Sequence, residues 1–113
     1  MVTTSTKDEI LQEIVNRFVV GLRPERIYLF GSRSRAEADE DSDFDLMIVL
    51  PNSNLSRYQR ESQAYDLLWG LTTPVDVVVF TREEFQNASK VKTSLVSTVK
   101  TQGKLIYEQH KNS

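Results

Sequence analysis

Two aspartates separated by one residue, Asp43 and Asp45, follow a polar stretch near the middle of the chain. Alternate residues of a β-strand project from the same face, so both carboxylates would point the same way if residues 43–50 form a strand. They would lie about 7 Å apart along the backbone, where a divalent cation would relieve their repulsion. Carboxylate oxygens are hard ligands that suit Mg²⁺, with Mn²⁺ as an alternative. Because exposed pairs of this kind are often merely solvated, the pair alone does not establish a metal site.

A third acid, Asp76, lies near the start of the β-branched run V-D-V-V-V-F at residues 75–80. A carboxylate in so apolar a run is expensive to bury unless it has a partner. If this run forms a strand beside residues 43–50, three carboxylates converge. Three such ligands can hold one or two metal ions for in-line displacement at a phosphorus atom.

The segment after the apolar residues Ile27 to Phe30 carries groups that suit a phosphate. Gly31 allows the backbone to turn and approach a ligand closely. Ser32 offers a hydroxyl donor, and Arg33 and Arg35 offer positive charge. Amides at the start of a helix there would add an anion site, although a surface turn whose arginines pair with nearby acids explains the same residues.

The composition describes one globular domain over residues 1–113, with 39% hydrophobic and 27% charged residues. A net charge of −2 argues against a dedicated nucleic-acid binder, so no direct nucleic-acid partner is expected. The absence of cysteine and the single histidine, His110, exclude disulfides, thiolate metal sites and multi-histidine zinc sites. With neither a signal peptide nor a run long enough to span a membrane, we expect a cytoplasmic protein.

Hydrophobic periodicity and turn signals predict an α/β (α+β) fold, with helices packed on a small mixed β-sheet. Helices are expected over residues 7–20 and 54–70, after the capping-box pattern at 81–84, and before Gly103. Strands are expected at 26–30, 43–50, 75–80 and 104–108.

The helix predicted over residues 54–70 carries three large aromatic side chains, Tyr58, Tyr65 and Trp69. Their spacing favours a buried apolar stripe, so most of them are predicted to belong to the core. The alternative is that they are exposed and form a surface for a protein partner.

The combination of G-S, ten residues, D-F-D and a later acid in an apolar strand resembles the signature of the DNA polymerase β-like nucleotidyltransferase superfamily. The run F-G-S-R-S-R-A followed by D-S-D-F-D-L is most similar to the minimal nucleotidyltransferases, or MNT proteins, encoded beside HEPN-domain partners. That family often has glycine where this chain has Ala36. The resemblance covers nearly the whole chain and implies the polymerase β-like nucleotidyltransferase fold.

The resemblance also implies roles for individual residues. Gly31 and Ser32 would hold the β- and γ-phosphates of ATP, and Asp43 and Asp45 would bind two Mg²⁺ ions. Asp76 would bind the catalytic metal and help to take the proton from the attacking hydroxyl.

The implied reaction is transfer of AMP from ATP to a hydroxyl, with a tyrosine of a HEPN ribonuclease toxin as the acceptor. The chain would then be the antitoxin and would form a hetero-oligomer with that toxin. About 30 residues follow the strand at 75–80, too few for an independent acceptor-binding domain. Two alternatives stay open at this stage: an antitoxin that neutralises by binding alone, and a small-molecule nucleotidyltransferase of the aminoglycoside type.

Overall fold

The computed structural model of the protein describes residues 6–30 and 44–109. The helices and strands follow in the order α1 (Thr6–Leu22), β1 (Arg26–Phe30), β2 (Phe44–Leu50), α2 (Arg57–Asp66), β3 (Val75–Thr81), α3 (Arg82–Ser89), α4 (Leu95–Gln102) and β4 (Lys104–Glu108). The predicted order of elements and the predicted fold class are therefore confirmed. The bounds predicted for β1 and β4 agree with the structure to the residue.

The four strands form one mixed sheet in the order β3-β2-β1-β4. Strand β1 is antiparallel to both β2 and β4, whereas β2 and β3 are parallel. Parallel neighbours need a long crossover connection, and α2 lies within the connection between β2 and β3. The sheet thus brings the starts of β2 and β3 to the same end.

Each face of the sheet is covered by two helices. One face packs against α1 and α2 through Ile14, Phe18 and Ala64, and the opposite face packs against α3 and α4 through Phe85 and Val96. Successive residues of β2 pack into the two clusters in turn, so both faces of the strand are buried. This explains why its sequence is apolar at successive positions. In the described ranges, none of the helices is long and apolar enough to cross a membrane.

Helix α2 differs from its prediction in length and in the face that it buries. It begins at Arg57 after a capping box formed by Ser56 and Gln59, and it ends at Asp66. The prediction that most of its aromatic residues belong to the core is wrong, because Tyr58 is 79% and Trp69 84% exposed. Tyr65 is also exposed, at 44%. The residues that α2 buries are Arg60 and Ala64.

Side chains of α2 pair with the outer edge of β3, which is an edge strand. The Val77 amide donates to the Tyr65 hydroxyl at 2.9 Å. The Val79 amide donates to Glu61 Oε2 at 3.2 Å, and Arg60 Nη1 donates to the Val79 carbonyl at 3.0 Å. Unpaired groups on an edge strand invite pairing with another chain. Helix α2 therefore occupies this part of the edge with side chains.

Arg60 also joins α2 to the start of α3. Its guanidinium makes two hydrogen bonds to the Glu84 carboxylate, at 2.8 and 2.9 Å, and Nε donates to the Leu55 carbonyl at 3.2 Å. Glu84 completes the predicted capping box with Thr81, which is confirmed. The Arg60 hydrogen bonds lower the pKa of Glu84, helped by the Thr81 amide and opposed by partial burial. The buried cation thus has a charged partner and carbonyl acceptors, as such groups require.

Candidate functional site

The first residues of β2 and β3 bring two of the predicted acids, Asp45 and Asp76, together. In the parallel register, Asp45 lies directly opposite Asp76. Neighbouring strands are separated by about 4.8 Å, so the two backbones are adjacent at this point. The condition for these acids to converge, that the strand holding Asp76 lies beside the strand holding Asp45, is therefore met.

Both acids lie on the sheet face that is covered by α3 and α4. Asp45 lies on the same face of β2 as Met47, which belongs to the apolar cluster under those helices. Asp76 lies on the same face of β3 as Val78, which packs against that cluster. Asp45 is half-buried and Asp76 is exposed. The carboxylates therefore stand at the end of this face, beyond the apolar cluster.

The last residue of β1 completes the local arrangement. Phe30 pairs with Asp45 in the antiparallel register, so Asp45 lies between Phe30 on one side and Asp76 on the other. The chain leaves the sheet after Phe30 and enters it again at Phe44, both at this end. Both anchors of the intervening segment are therefore beside the acidic pair.

Five of the predicted site residues lie outside the residues that the structure describes: Gly31, Ser32, Arg33, Arg35 and Asp43. The structure thus tests the placement of Asp45 and Asp76 relative to each other and leaves the phosphate-binding segment as a prediction. Within residues 6–30 and 44–109, no group of three or more His, Cys, Asp or Glu side chains is placed to hold a metal ion. The predicted third ligand, Asp43, is not among those residues.

The donor set of the acidic pair nevertheless suits a hard divalent cation. Two carboxylates side by side on adjacent strands repel each other, and a cation bound between them would offset that repulsion. Carboxylate oxygens are the ligands that Mg²⁺ and Mn²⁺ prefer. Asp45 and Asp76 could therefore contribute to such a site.

Sequence reasoning missed the residues that hold β3 in place. The Tyr65 hydroxyl accepts from the amide of Val77, the residue immediately after Asp76. Glu61 and Arg60 bond Val79 two residues farther along. The polar residues of α2 are evident in the sequence. Only the strand order shows that β3 is an edge strand, whose free side these residues can pair with.

Comparison with known proteins agrees with this arrangement. The family model described as "Nucleotidyltransferase domain" matches residues 7–101. None of the curated proteins that were compared with this chain matches it.

Solved structures share the fold over most of the chain. A candidate nucleotidyltransferase from Sulfolobus solfataricus is 21% identical with a TM-score of 0.64, over 91% of this chain and 81% of its own. A toxin–antitoxin complex with AMP-PNP contains a chain that is 28% identical with a TM-score of 0.63, over 88% of this chain and 73% of its own. A mutant MntA–HpeT toxin–antitoxin complex contains one that is 26% identical with a TM-score of 0.56, over 95% and 76% respectively. With a family model that spans 7–101 and an acidic pair in register at one end of the sheet, this chain belongs to the nucleotidyltransferase domain family and is a nucleotidyltransferase.

Proposed function

We propose that this chain transfers AMP from ATP to a tyrosine hydroxyl of a partner HEPN ribonuclease toxin and thereby acts as its antitoxin. The observation that carries the catalytic part is the register of Asp45 opposite Asp76 within a nucleotidyltransferase domain. The antitoxin part is supported by the toxin–antitoxin complexes among the similar structures, one of which contains AMP-PNP.

In the proposed reaction, the acceptor oxygen forms a bond to the α-phosphorus of ATP. The bond from that phosphorus to the bridging oxygen breaks, and pyrophosphate leaves. Asp76 helps to take the proton from the attacking hydroxyl, and it is exposed to solvent at the end of the sheet. Such transfers depend on positioning and charge neutralisation more than on covalent participation of the protein.

Asp43, Asp45 and Asp76 would hold Mg²⁺, with Mn²⁺ as an alternative. When bound, the metal activates the attacking hydroxyl and offsets the charge on the departing pyrophosphate. Gly31 and Ser32 would hold the triphosphate by backbone and hydroxyl donors.

Arg33 and Arg35 would add positive charge to this phosphate site. Both lie between the anchors Phe30 and Phe44, which flank the acidic pair. The position of these anchors supports a role for the intervening segment beside the metals.

The test is transfer to the partner itself. The chain is co-purified with its HEPN-domain partner and incubated with Mg²⁺ and α-labelled ATP, and the partner is examined by mass spectrometry. We expect one or more AMP units on a tyrosine, and loss of transfer in Asp45→Asn. Asp66→Asn is the matched control, because Asp66 is an exposed acid at the end of α2. No transfer with any nucleoside triphosphate, in Mg²⁺ or in Mn²⁺, would overturn the proposal.

A second candidate function is neutralisation by binding alone, which the exposure of Tyr58 and Trp69 favours. The two functions separate in cells that produce the toxin. If catalysis neutralises, Asp45→Asn and Asp76→Asn abolish protection although the complex still forms. If binding neutralises, both variants protect, whereas Trp69→Ala weakens the complex and the protection together.

A further inference from the structure

A second concave site lies at the opposite end of the sheet from the acidic pair. A cavity of about 220 Å³ opens where β1 begins and β2 ends, under α3 and α4. Arg26 and Val49, which pair in the β1–β2 register, both line it. Val49 follows Asp45 by four residues on the same face, which corresponds to about 13 Å along the strand. The cavity is thus separate from Asp45 and from Asp76, which lies opposite Asp45.

The wall of this cavity is positively charged although the whole chain has a net charge of −2. Among the residues that the structure describes, three cations line it, Arg26, Arg82 and Lys100, against one acid, Glu25. Glu25 is engaged by Arg82 Nε at 2.9 and 3.2 Å, and Glu108 lies 3.4 Å from Arg26 Nε. Within the described ranges, Lys100 makes no ion pair. Positive charge therefore remains to attract an anion.

The aromatic floor of the cavity restricts the kind of anion. Phe85 stacks on Tyr28 with ring centroids 5.6 Å apart, and Lys100 Nζ lies 6.0 Å from the Phe85 centroid over the ring. A purine base therefore finds neither face of the ring free. The volume corresponds to about seven water molecules at about 30 Å³ each, which leaves room for a compact oxyanion together with some of its water.

We propose that this cavity binds a phosphate-type oxyanion, either orthophosphate or pyrophosphate. The ammonium of Lys100 supplies the charge. The guanidinium of Arg26, which also contacts Glu108 at 3.4 Å and donates to the Tyr28 hydroxyl at 3.2 Å, supplies further donors, and a guanidinium fork matches phosphate oxygens in geometry. Of these two anions, pyrophosphate is also the product that nucleotidyl transfer releases. The site depends on none of the proposed catalytic residues. Its test is therefore independent of the identity of the proposed acceptor.

The proposal is tested by titrating the isotopically labelled chain with sodium phosphate and, separately, with sodium pyrophosphate. The buffer contains EDTA and no nucleotide, and sodium chloride keeps the ionic strength constant. We expect saturable NMR shifts at the amides around Lys100 and Phe85. The tighter of the two anions identifies the source, and a response to both that is linear in concentration would overturn the proposal.

Substitutions then separate this cavity from other anion sites. Lys100→Gln should weaken binding by about 5-fold, the effect of one charge pair at about 4 Å in water. Lys92→Gln, the same change at an exposed lysine outside the cavity, should leave it unaltered. Glu25→Gln removes the one acid among the described residues that line the cavity. It should tighten binding by a similar factor, which no loss of folding would mimic.

Equal effects of Lys100→Gln and Lys92→Gln would refute a specific site. A changed affinity in Asp45→Asn or Asp76→Asn would place the anion at the catalytic end of the sheet and would equally refute it. Unchanged binding in those two variants supports the separate cavity, whether or not AMP transfer is found.

Discussion

Replacing Asp76 by asparagine should remove the response of the protein to Mg²⁺ and, in the metal-free protein, the repulsion between this side chain and Asp45. The reason is the register of β2 and β3, which sets Asp76 opposite Asp45 on one face of the sheet. Like charges that face each other on adjacent strands are destabilising. Asparagine keeps the size and most of the hydrogen-bonding capacity of aspartate and removes only the charge.

The magnitude follows from the strand spacing. Two unit charges about 5 Å apart repel by about 0.8 kcal/mol in water and by about 3 kcal/mol at an effective dielectric constant near 20. Asp76 is exposed and Asp45 only half-buried, so the lower figure applies. We therefore expect an unfavourable coupling of about 1 kcal/mol between the two carboxylates in EDTA. For the unchanged protein, Mg²⁺ at ten times its Kd should add about 1.4 kcal/mol.

Urea denaturation in EDTA and in Mg²⁺ measures both effects, with Asp66→Asn as the control for a change of one surface charge. A double-mutant cycle with Asp45→Asn isolates the repulsion, because the contributions of all other contacts of the two side chains cancel. Additive effects in EDTA would contradict repulsion between these two side chains. Equal stabilisation of the protein and of Asp76→Asn by Mg²⁺ would contradict a metal role for Asp76.

Three further predictions concern the network that joins α2, β3 and α3. Tyr65→Phe removes the acceptor of the Val77 amide and should cost about 1 kcal/mol, with faster hydrogen exchange at Val77 as the local readout. Thr81→Ala removes the N-cap of α3 and should lower the free energy of unfolding by about 1 kcal/mol, measured by urea denaturation. The folded-state pKa of Glu84 is depressed, so its contribution is present above the unfolded value near 4.5 and is lost as the pH falls through the folded pKa. Below pH 4.5, the free energy of unfolding of the protein should therefore fall more than that of Glu84→Gln. The same decrease in both proteins would contradict this.

The acidic residues were found from sequence because each breaks a local rule. Asp76 interrupts a run of β-branched residues, and Asp45 interrupts the apolar strand that starts at Phe44. Such exceptions are expected at functional positions. What the sequence could not supply is the register, since a shift of one residue would have separated Asp45 from Asp76 and placed them on opposite faces. The parallel pairing of β2 and β3 supplies that information.

Helix α2 was predicted less well for a physical reason. Aromatic residues at helical spacing usually form a buried stripe, yet Tyr58 and Trp69 face solvent. The helix lies beside an edge strand, and its contact with that strand is made largely by polar groups of Glu61 and Tyr65. The start of the helix, in contrast, was encoded locally by Ser56 and Gln59 as a capping box, which the sequence reading overlooked.

The outer edge of β3 connects the fold to the candidate site. Asp76 stands on an edge strand, and edge strands hold their position less firmly because only one side has a neighbouring strand. Tyr65 bonds the backbone directly after Asp76, and Arg60 bonds Val79 while pairing with Glu84. Since Asp76 must keep its place opposite Asp45 for the two carboxylates to act together, α2 serves the site without contributing a ligand to it. The polar face of α2 is thus explained by the need to hold the strand that carries Asp76 in register.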